Sequence, residues 1–128
     1  VRILYDPPKI MFYFLIGIGA FFGAITRFLL SSYLSKIIIV GFPIGTLFIN
    51  FLGCFLIGVF LAINLSNKEL MIPLVIIGFL GSFTTFSAFS QEIFLFSSSN
   101  GVVTAYFIAL MITSICVLST FIGYKMFT

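Results

Sequence analysis

The residues of this chain that could do chemistry are few, and most of them are neutral. The sequence has three carboxylates, Asp6, Glu69 and Glu92, and it has no histidine. Histidine is the side chain most often used for acid–base catalysis and for metal binding. The two cysteines, Cys54 and Cys116, lie in apolar runs without the spacing of a metal motif, and we interpret them as buried free thiols. This inventory argues against an enzyme.

Three polar residues of interest in the first half of the chain lie inside apolar runs, namely Arg27, Thr46 and Asn50. Thr46 and Asn50 are four residues apart, so on a helix they share a face. The Asn50 amide either bonds to a neighbouring helix or directs its NH₂ group into a water or ion path. Arg27 cannot lose its proton, so it must snorkel, pair with a partner such as Glu92, or line water. In a vestibule it would raise the local anion concentration.

A cluster of small and hydroxylated residues lies between positions 78 and 90. Glycine weakens a helix, and Ser and Thr compete for its backbone hydrogen bonds. The cluster therefore predicts either a break in the helix or an intact helix whose hydroxyls bond to the preceding turn. Broken backbone within a membrane must be buried or line a cavity. Across a two-fold axis, its free carbonyls would form an oxygen cage for a hard cation. The members of the cluster are Gly78, Gly81, Ser82, Thr84, Thr85, Ser87 and Ser90.

Aromatic rings and hydroxyls complete the inventory. Phe86 and Phe89 are three residues apart; they either pack in the core or present their positive ring edges to an anion. The last apolar run carries hydroxyls that form either a polar track or a seam between helices. Neutral donors without a carboxylate at mid-span suit an anion path better than a cation path. The hydroxyls of the last run are those of Tyr106, Thr113, Ser114 and Thr120.

The elements that must position these residues are membrane-spanning helices. The chain of 128 residues is 62% hydrophobic and 7% charged, whereas soluble domains carry about 25% charged residues. A spanning helix needs about 20 mostly apolar residues. Gly19 and Gly23 form a GxxxG pattern, whose small residues allow close helix contact and favour association of two subunits. We predict an all-α integral membrane protein with a broken third helix and spans at about 11–34, 44–65, 70–96 and 102–127.

Residues 1–10 differ from the rest of the chain, because they hold a Pro-Pro pair and several charges. We interpret them as an extension that need not be native, with Met11 as a candidate start. Residues 11–128 then form a single four-helix transmembrane domain in contact with membrane lipid. The six basic residues are scattered, so no patch for nucleic acid is expected.

The distribution of positive charge predicts no single orientation. With residues 1–10 excluded, Lys68 and Lys125 fall on the side of the termini, and Arg27 and Lys36 fall on the other side. The positive-inside rule sets orientation from a difference between the two sides. An equal count predicts dual topology, for which an antiparallel homodimer is the simplest assembly.

Three stretches resemble the signatures of the fluoride-specific ion channel family, Fluc or CrcB. They are residues 19–27 (GAFFGAITR), 45–53 (GTLFINFLG) and 78–89 (GFLGSFTTFSAF). Their order and spacing are those of the family, and the resemblance covers nearly everything after Met11. It implies an antiparallel, dual-topology homodimer with two pores in the cell (plasma) membrane. It also implies passive export of fluoride, which keeps cytoplasmic fluoride low.

The resemblance also implies roles for individual residues. Asn50 would be the pore amide, and Phe86 and Phe89 would be paired rings along the path. Gly81 and Thr84 would supply backbone carbonyls to a structural sodium ion (Na⁺) at the dimer centre. The full ion pathway would comprise Arg27 at the vestibule, Asn50, Phe86, Ser87, Phe89, Tyr106 and Ser114.

Two departures from the family pattern leave alternatives open. Ser82 stands where the family commonly has Gly, and Ala88 where it commonly has Thr, which implies a stiffer break and one hydroxyl fewer. These changes are also expected if the chain pairs with a second, paralogous subunit. The main alternative function is a small multidrug-type cation/proton antiporter, which requires a carboxylate in its first span. A structural subunit of a larger complex is a further alternative.

Overall fold

A computed structural model describes residues 10–128 of the chain. Four helical segments are long and apolar enough to cross a membrane: Ile10–Leu34, Gly45–Ala62, Lys68–Asn100 and Val102–Met126. This confirms the prediction of an all-helical protein with four spans. The predicted extension at residues 1–10 lies outside the described residues, apart from Ile10, at which the first helix begins.

The chain has more helical elements than spans, because the third span is made of several elements. It comprises two short helices, a π-helical segment and a longer helix. The elements in chain order are α1 (Ile10–Leu34), β1 (Ile38–Ile39), β2 (Phe42–Pro43), α2 (Gly45–Ala62), α3 (Lys68–Met71), the π-helical segment (Ile72–Leu80), α4 (Gly81–Phe83), α5 (Phe86–Asn100) and α6 (Val102–Met126).

The third span departs from α-helical geometry in two places. Pro73 lies at the start of the π-helical segment, where it has no N–H to donate to a helical carbonyl. Further along, Thr84 (φ −80°, ψ 151°) and Thr85 (φ −151°, ψ 119°) are extended between α4 and α5. Gly81 keeps α-helical dihedrals (φ −63°, ψ −30°). The extended residues are therefore the two threonines, three and four positions beyond that glycine.

The GxxxG glycines of α1 make contact within the chain. Gly19 and Gly23 are both buried. A Cβ at Gly19 would overlap the carbonyl of Leu74, and one at Gly23 would overlap that of Phe79. These glycines therefore make their close contact within one chain, between α1 and the π-helical segment, and the pattern gives no support to association between subunits.

The second close contact joins α2 to α6. A Cβ at Gly58 would overlap the carbonyl oxygen of Thr120, and one at Gly123 would overlap that of Phe55. The Thr120 hydroxyl donates to the carbonyl of Cys54 at 3.0 Å. Thr120 therefore belongs to the seam between two helices rather than to a hydroxyl track shared with Tyr106.

The connection between the first two spans is a β-hairpin, which the sequence did not predict. β1 and β2 pair in antiparallel fashion around Val40 (φ 53°) and Gly41 (φ 77°). Positive φ at both central residues is the pattern of a type I′ turn. The Phe42 ring is buried and lies 5.9 Å from the Phe96 ring, edge to face. The hairpin is thus packed against α5 through Phe42, the residue that directly follows the turn.

Candidate functional site

The Asn50 amide holds the extended residues of the third span. Asn50 Nδ2 donates to the carbonyl oxygen of Thr85 at 2.9 Å. The backbone N–H of Thr85 donates to Asn50 Oδ1 at 2.7 Å. The backbone N–H and the carbonyl of Thr85 are therefore both hydrogen-bonded by one side chain of α2. A primary amide has two N–H donors, so one N–H of Asn50 is left over from this pair of bonds.

These bonds replace two hydrogen bonds of a continuous helix. In an α-helix, the N–H of residue i donates to the carbonyl of residue i−4. Thr85 N–H would then reach Gly81, and Ala88 N–H would reach Thr84. Instead, Thr85 donates to Asn50, and Ala88 donates to Thr85 Oγ1 at 3.2 Å. Gly81 and Thr84, the two residues expected to bind sodium, thus lose their helical donors.

The chemistry of this oxygen set fits a hard cation. Within residues 10–128, no group of three or more His, Cys, Asp or Glu could hold a metal ion. A cation bound there would need backbone or hydroxyl oxygens, which are the ligands that hard cations prefer. The carbonyls of Gly81 and Thr84 are oxygens of this kind. Their role toward sodium remains a prediction.

Arg27 and Glu92 have separate partners and do not pair with each other. The half-buried Arg27 donates from Nε to the carbonyl oxygen of Ser82 at 3.0 Å. Glu92 Oε1 accepts a hydrogen bond from Thr46 Oγ1 at 2.6 Å. Its other oxygen, Oε2, is buried without a partner among the described residues. The Arg27–Glu92 pair considered from the sequence is therefore absent, and each residue contacts a different part of the molecule.

The two predicted path rings lie together but differ in exposure. The centroids of the Phe86 and Phe89 rings are 5.8 Å apart, with an interplanar angle of 58°. Phe86 is 73% exposed on the single chain, whereas Phe89 is 5% exposed. The hydroxyl of Ser87 lies 3.2 Å from that of Thr85. The start of α5 thus places Phe86, Ser87 and Phe89 beside the extended residues.

Tyr106 and Ser114 are not brought to Asn50 within the single chain. Tyr106 is 64% exposed, and the Ser114 hydroxyl bonds back to Leu110 of its own helix at 2.8 Å. In the part of the chain that the structure describes, neither hydroxyl bonds to the third span. Four predicted path residues are exposed on one chain, namely Phe86, Ser87, Tyr106 and Ser114, and so is Gly81, a predicted sodium ligand.

Sequence reasoning missed the central position of Thr85. Its side chain accepts the hydrogen bond of Ala88, so Thr85 is the N-cap of α5. Threonine is one of the residues preferred at a helix N-cap, where its hydroxyl accepts a hydrogen bond from the backbone N–H three residues later. That signal could have located the start of α5, but no local pattern connects Thr85 with Asn50, 35 residues earlier.

Comparison with known proteins matches almost the whole described chain to one family. The sequence model of the family described as "CrcB-like protein, Camphor Resistance (CrcB)" matches residues 14–124. The match begins in α1 and ends in α6, so it includes all four spans and every candidate site residue.

Individual relatives match over a similar extent. The fluoride-specific ion channel FluC of Campylobacter lari is 41% identical over 115 residues, covering 88% of this chain and 93% of that protein. FluC of Nitratiruptor sp. is 39% identical over 115 residues, covering 89% and 90%. FluC of Trichormus variabilis is 36% identical over 122 residues, covering 92% and 89%. These levels of identity and coverage indicate shared ancestry along the full length of the four spans.

Proposed function

The chain belongs to the CrcB-like family, and on that premise we propose that it is a subunit of a fluoride-specific ion channel. It is a multi-pass protein of the cell membrane. In the proposed role, fluoride leaves the cell passively through the protein, which lowers cytoplasmic fluoride. Support comes from relatives named as fluoride-specific ion channels along nearly the whole chain.

The observation that carries the proposal is the pair of hydrogen bonds between Asn50 and Thr85. They hold α5 so that it begins inside the third span. The first turn of a helix leaves N–H groups without intrahelical partners and carries partial positive charge. A helix that begins within the membrane therefore favours an anion beside its first residues. Phe86 and Ser87 are those residues.

The proposed path uses neutral groups to bind the anion weakly. The remaining N–H of Asn50 and the hydroxyl of Ser87 would donate hydrogen bonds, and the rings of Phe86 and Phe89 would offer their positive edges. Arg27 would attract anions at the vestibule. Binding that is favourable but weak lets an ion enter and leave. Tyr106 and Ser114 would complete the path from α6.

We propose that two copies assemble in antiparallel orientation, with dual topology. The support is that one chain leaves the polar path residues Ser87, Tyr106 and Ser114 exposed, since polar groups facing lipid are costly. A second copy would cover them. The equal count of basic residues on the two sides, for residues 11–128, supports insertion in both orientations.

A structural sodium ion at the dimer centre fits the same arrangement. The carbonyls of Gly81 and Thr84 have lost their helical donors, and a two-fold axis would bring two copies of each together. A bound cation would neutralise the negative ends of these carbonyl dipoles and stabilise the contact between subunits. Removing sodium is therefore expected to weaken the dimer.

Fluoride efflux from vesicles tests the proposal. Liposomes that contain the purified protein should release fluoride to an ion-selective electrode and retain chloride. Phe86→Ile and Phe89→Ile should slow the release about 2- to 10-fold, because aromatic-edge interactions contribute about 0.5–1.5 kcal/mol. Phe14→Ile is the matched control, because Phe14 is 64% exposed on α1 and should leave the rate unchanged. Folded protein that releases no fluoride above empty vesicles would refute the channel.

A cation/proton antiporter of the small multidrug type is not supported. Such a carrier needs a carboxylate in the first span, and α1 contains none. Its proposed substrate also differs from the ion named for the relatives.

Pairing with a paralogous subunit is a separate alternative. It would be detected as fluoride efflux that appears only when a second chain is added.

A further inference from the structure

The hairpin between the first two spans ends in an exposed aliphatic tip. Four consecutive side chains are aliphatic, and their exposed fractions are 48% for Ile37, 65% for Ile38, 58% for Ile39 and 83% for Val40. Apolar surface in water is unfavourable in proportion to its area. A run of this kind on a connecting loop indicates that something other than water covers it.

The backbone at Val40 strengthens this argument. Val40 has a φ of 53°, a left-handed conformation in which Cβ crowds the following carbonyl. A β-branched residue is an outlier there, and Gly or Asn is the usual choice. Neither the local backbone nor water favours valine at this position. A surrounding more apolar than water would favour the exposed valine side chain there.

The position of the hairpin places that tip at the membrane boundary. α1 ends at Leu34 and α2 begins at Gly45, so the hairpin lies where two spans leave the bilayer. Its β2 residue Phe42 packs on Phe96, about 6 Å along the helix axis before the end of α5. The hairpin therefore lies alongside the ends of the helices instead of projecting beyond them.

The residues beside the hairpin are typical of the membrane interface. Tyr33 is 70% exposed, and the ammonium of Lys36 lies 5.8 Å from the centre of its ring. Tyrosine is enriched at headgroup level, and lysine extends its charge from there toward the phosphates. The exposed apolar surface continues along α1 to Leu29, which is 62% exposed. The tip thus extends the lipid-facing surface of the first span.

We propose that the hairpin is an interfacial lipid anchor. Ile38, Ile39 and Val40 insert into the boundary between headgroups and acyl chains, and Lys36 lies at the level of the lipid phosphates. The anchor fixes the depth of the junction between the first two spans. It depends on the membrane location of the chain and not on fluoride conduction.

Tryptophan fluorescence tests the anchor directly, because the sequence contains no tryptophan. Val40→Trp and Ile39→Trp each introduce one fluorophore at the tip; Ile39 is outside the positive-φ turn, so this variant covers a failure of the first to fold. Ser66→Trp is the control, in the exposed connection on the opposite side. In phosphatidylcholine vesicles, both tip variants should emit at shorter wavelength than the control. Lipid brominated near the glycerol end of its acyl chains should quench them, and acrylamide should not.

Two results would overturn the proposal. Acrylamide quenching equal to that of Ser66→Trp would place the tip in water. Resistance to both quenchers would show that protein, such as a second copy, covers the tip. Fluoride efflux measured on the same vesicles should be unchanged in the tip variants. Efflux from the unsubstituted protein tests the channel proposal separately, and the quenching result alone decides the anchor.

Discussion

At the scale of single residues, Thr85 joins three functions in one position. Its N–H and carbonyl bond to Asn50, and its hydroxyl caps α5 through Ala88. Two unpaired backbone groups in an apolar surrounding would cost several kcal/mol. The extended conformation is therefore stable only while α2 supplies an amide opposite it. A hydrocarbon side chain at position 50 could not make these hydrogen bonds, so the extended conformation of Thr85 would lose its stabilisation.

Asn50→Ala should be strongly destabilising. It leaves the Thr85 N–H and carbonyl without partners, which should cost about 2–4 kcal/mol of unfolding free energy, and it should also slow fluoride efflux. Asn100→Ala is the matched control, because Asn100 donates one bond to the Phe96 carbonyl at the exposed end of α5. That change should cost less than about 1 kcal/mol. Thermal unfolding in detergent measures both; equal losses would contradict the role given to Asn50.

The two adjacent threonines should respond differently to loss of the hydroxyl. Thr85→Val removes the cap of α5 and should cost about 0.5–2 kcal/mol. Thr84→Val removes only a bond from Oγ1 back to Leu80 and should change stability by less than about 0.5 kcal/mol. Both variants keep their backbone carbonyls. Chemical denaturation in mild detergent compares them, and a larger loss at Thr84 would show that the cap is placed at the wrong residue.

At the scale of elements, the spans and the interruption differ in how far sequence could predict them. The spans can be predicted from the length of the apolar runs alone, because a helix that crosses the bilayer needs about 20 mostly apolar residues. The third span was predicted at 70–96 and includes Lys68 and Asn100, since polar residues are tolerated where a helix meets the interface. The cluster from 78 to 90 contains the extended Thr84 and Thr85. No local sequence pattern indicates that the Asn50 amide, 35 residues earlier, bonds to Thr85.

The hairpin and the helix contacts also required the folded structure. Val40 in a positive-φ position contradicts turn preferences, so the pattern of residues 35–43 indicated only a short connection. The GxxxG pattern of Gly19 and Gly23 favours association of subunits, but the glycines make their close contact within the chain, because a glycine pattern does not specify its partner helix. That partner follows from which backbones approach, and here it is the π-helical segment.

Two glycines of helical spans should respond in opposite directions to alanine. Gly58→Ala would drive a Cβ into the Thr120 carbonyl; backbone cannot move aside easily, so we expect a loss of about 1–3 kcal/mol. At Gly17, a Cβ would meet nothing within 4 Å, and alanine should gain up to about 1 kcal/mol through helix propensity. Thermal unfolding in detergent measures both. A neutral Gly58→Ala would mean that α2 and α6 are not in backbone contact.

At the scale of the whole molecule, the balance of charge links topology to function. Within residues 11–128, few positive charges are available to fix orientation: Arg27 and Lys36 on one side, and Lys68 and Lys125 on the other. Arg27 is moreover bonded to the Ser82 carbonyl. A few added lysines should therefore decide how the chain inserts. If both orientations are needed in one dimer, fixing the orientation should abolish activity without altering the fold.

Two pairs of added lysines, each biasing insertion toward one orientation, test this at exposed positions near the ends of the spans. Ser66→Lys with Asn67→Lys adds charge on the side of the termini, and Ser98→Lys with Ser99→Lys adds it on the other side; all four positions are exposed. Each double variant alone should insert in one orientation and lose fluoride efflux, because a partner of opposite orientation is missing. Co-expression of the two should restore efflux, since each supplies the orientation that the other lacks. Labelling of a terminal tag from outside the vesicle measures orientation. Full efflux from one variant with a single verified orientation would exclude the antiparallel dimer.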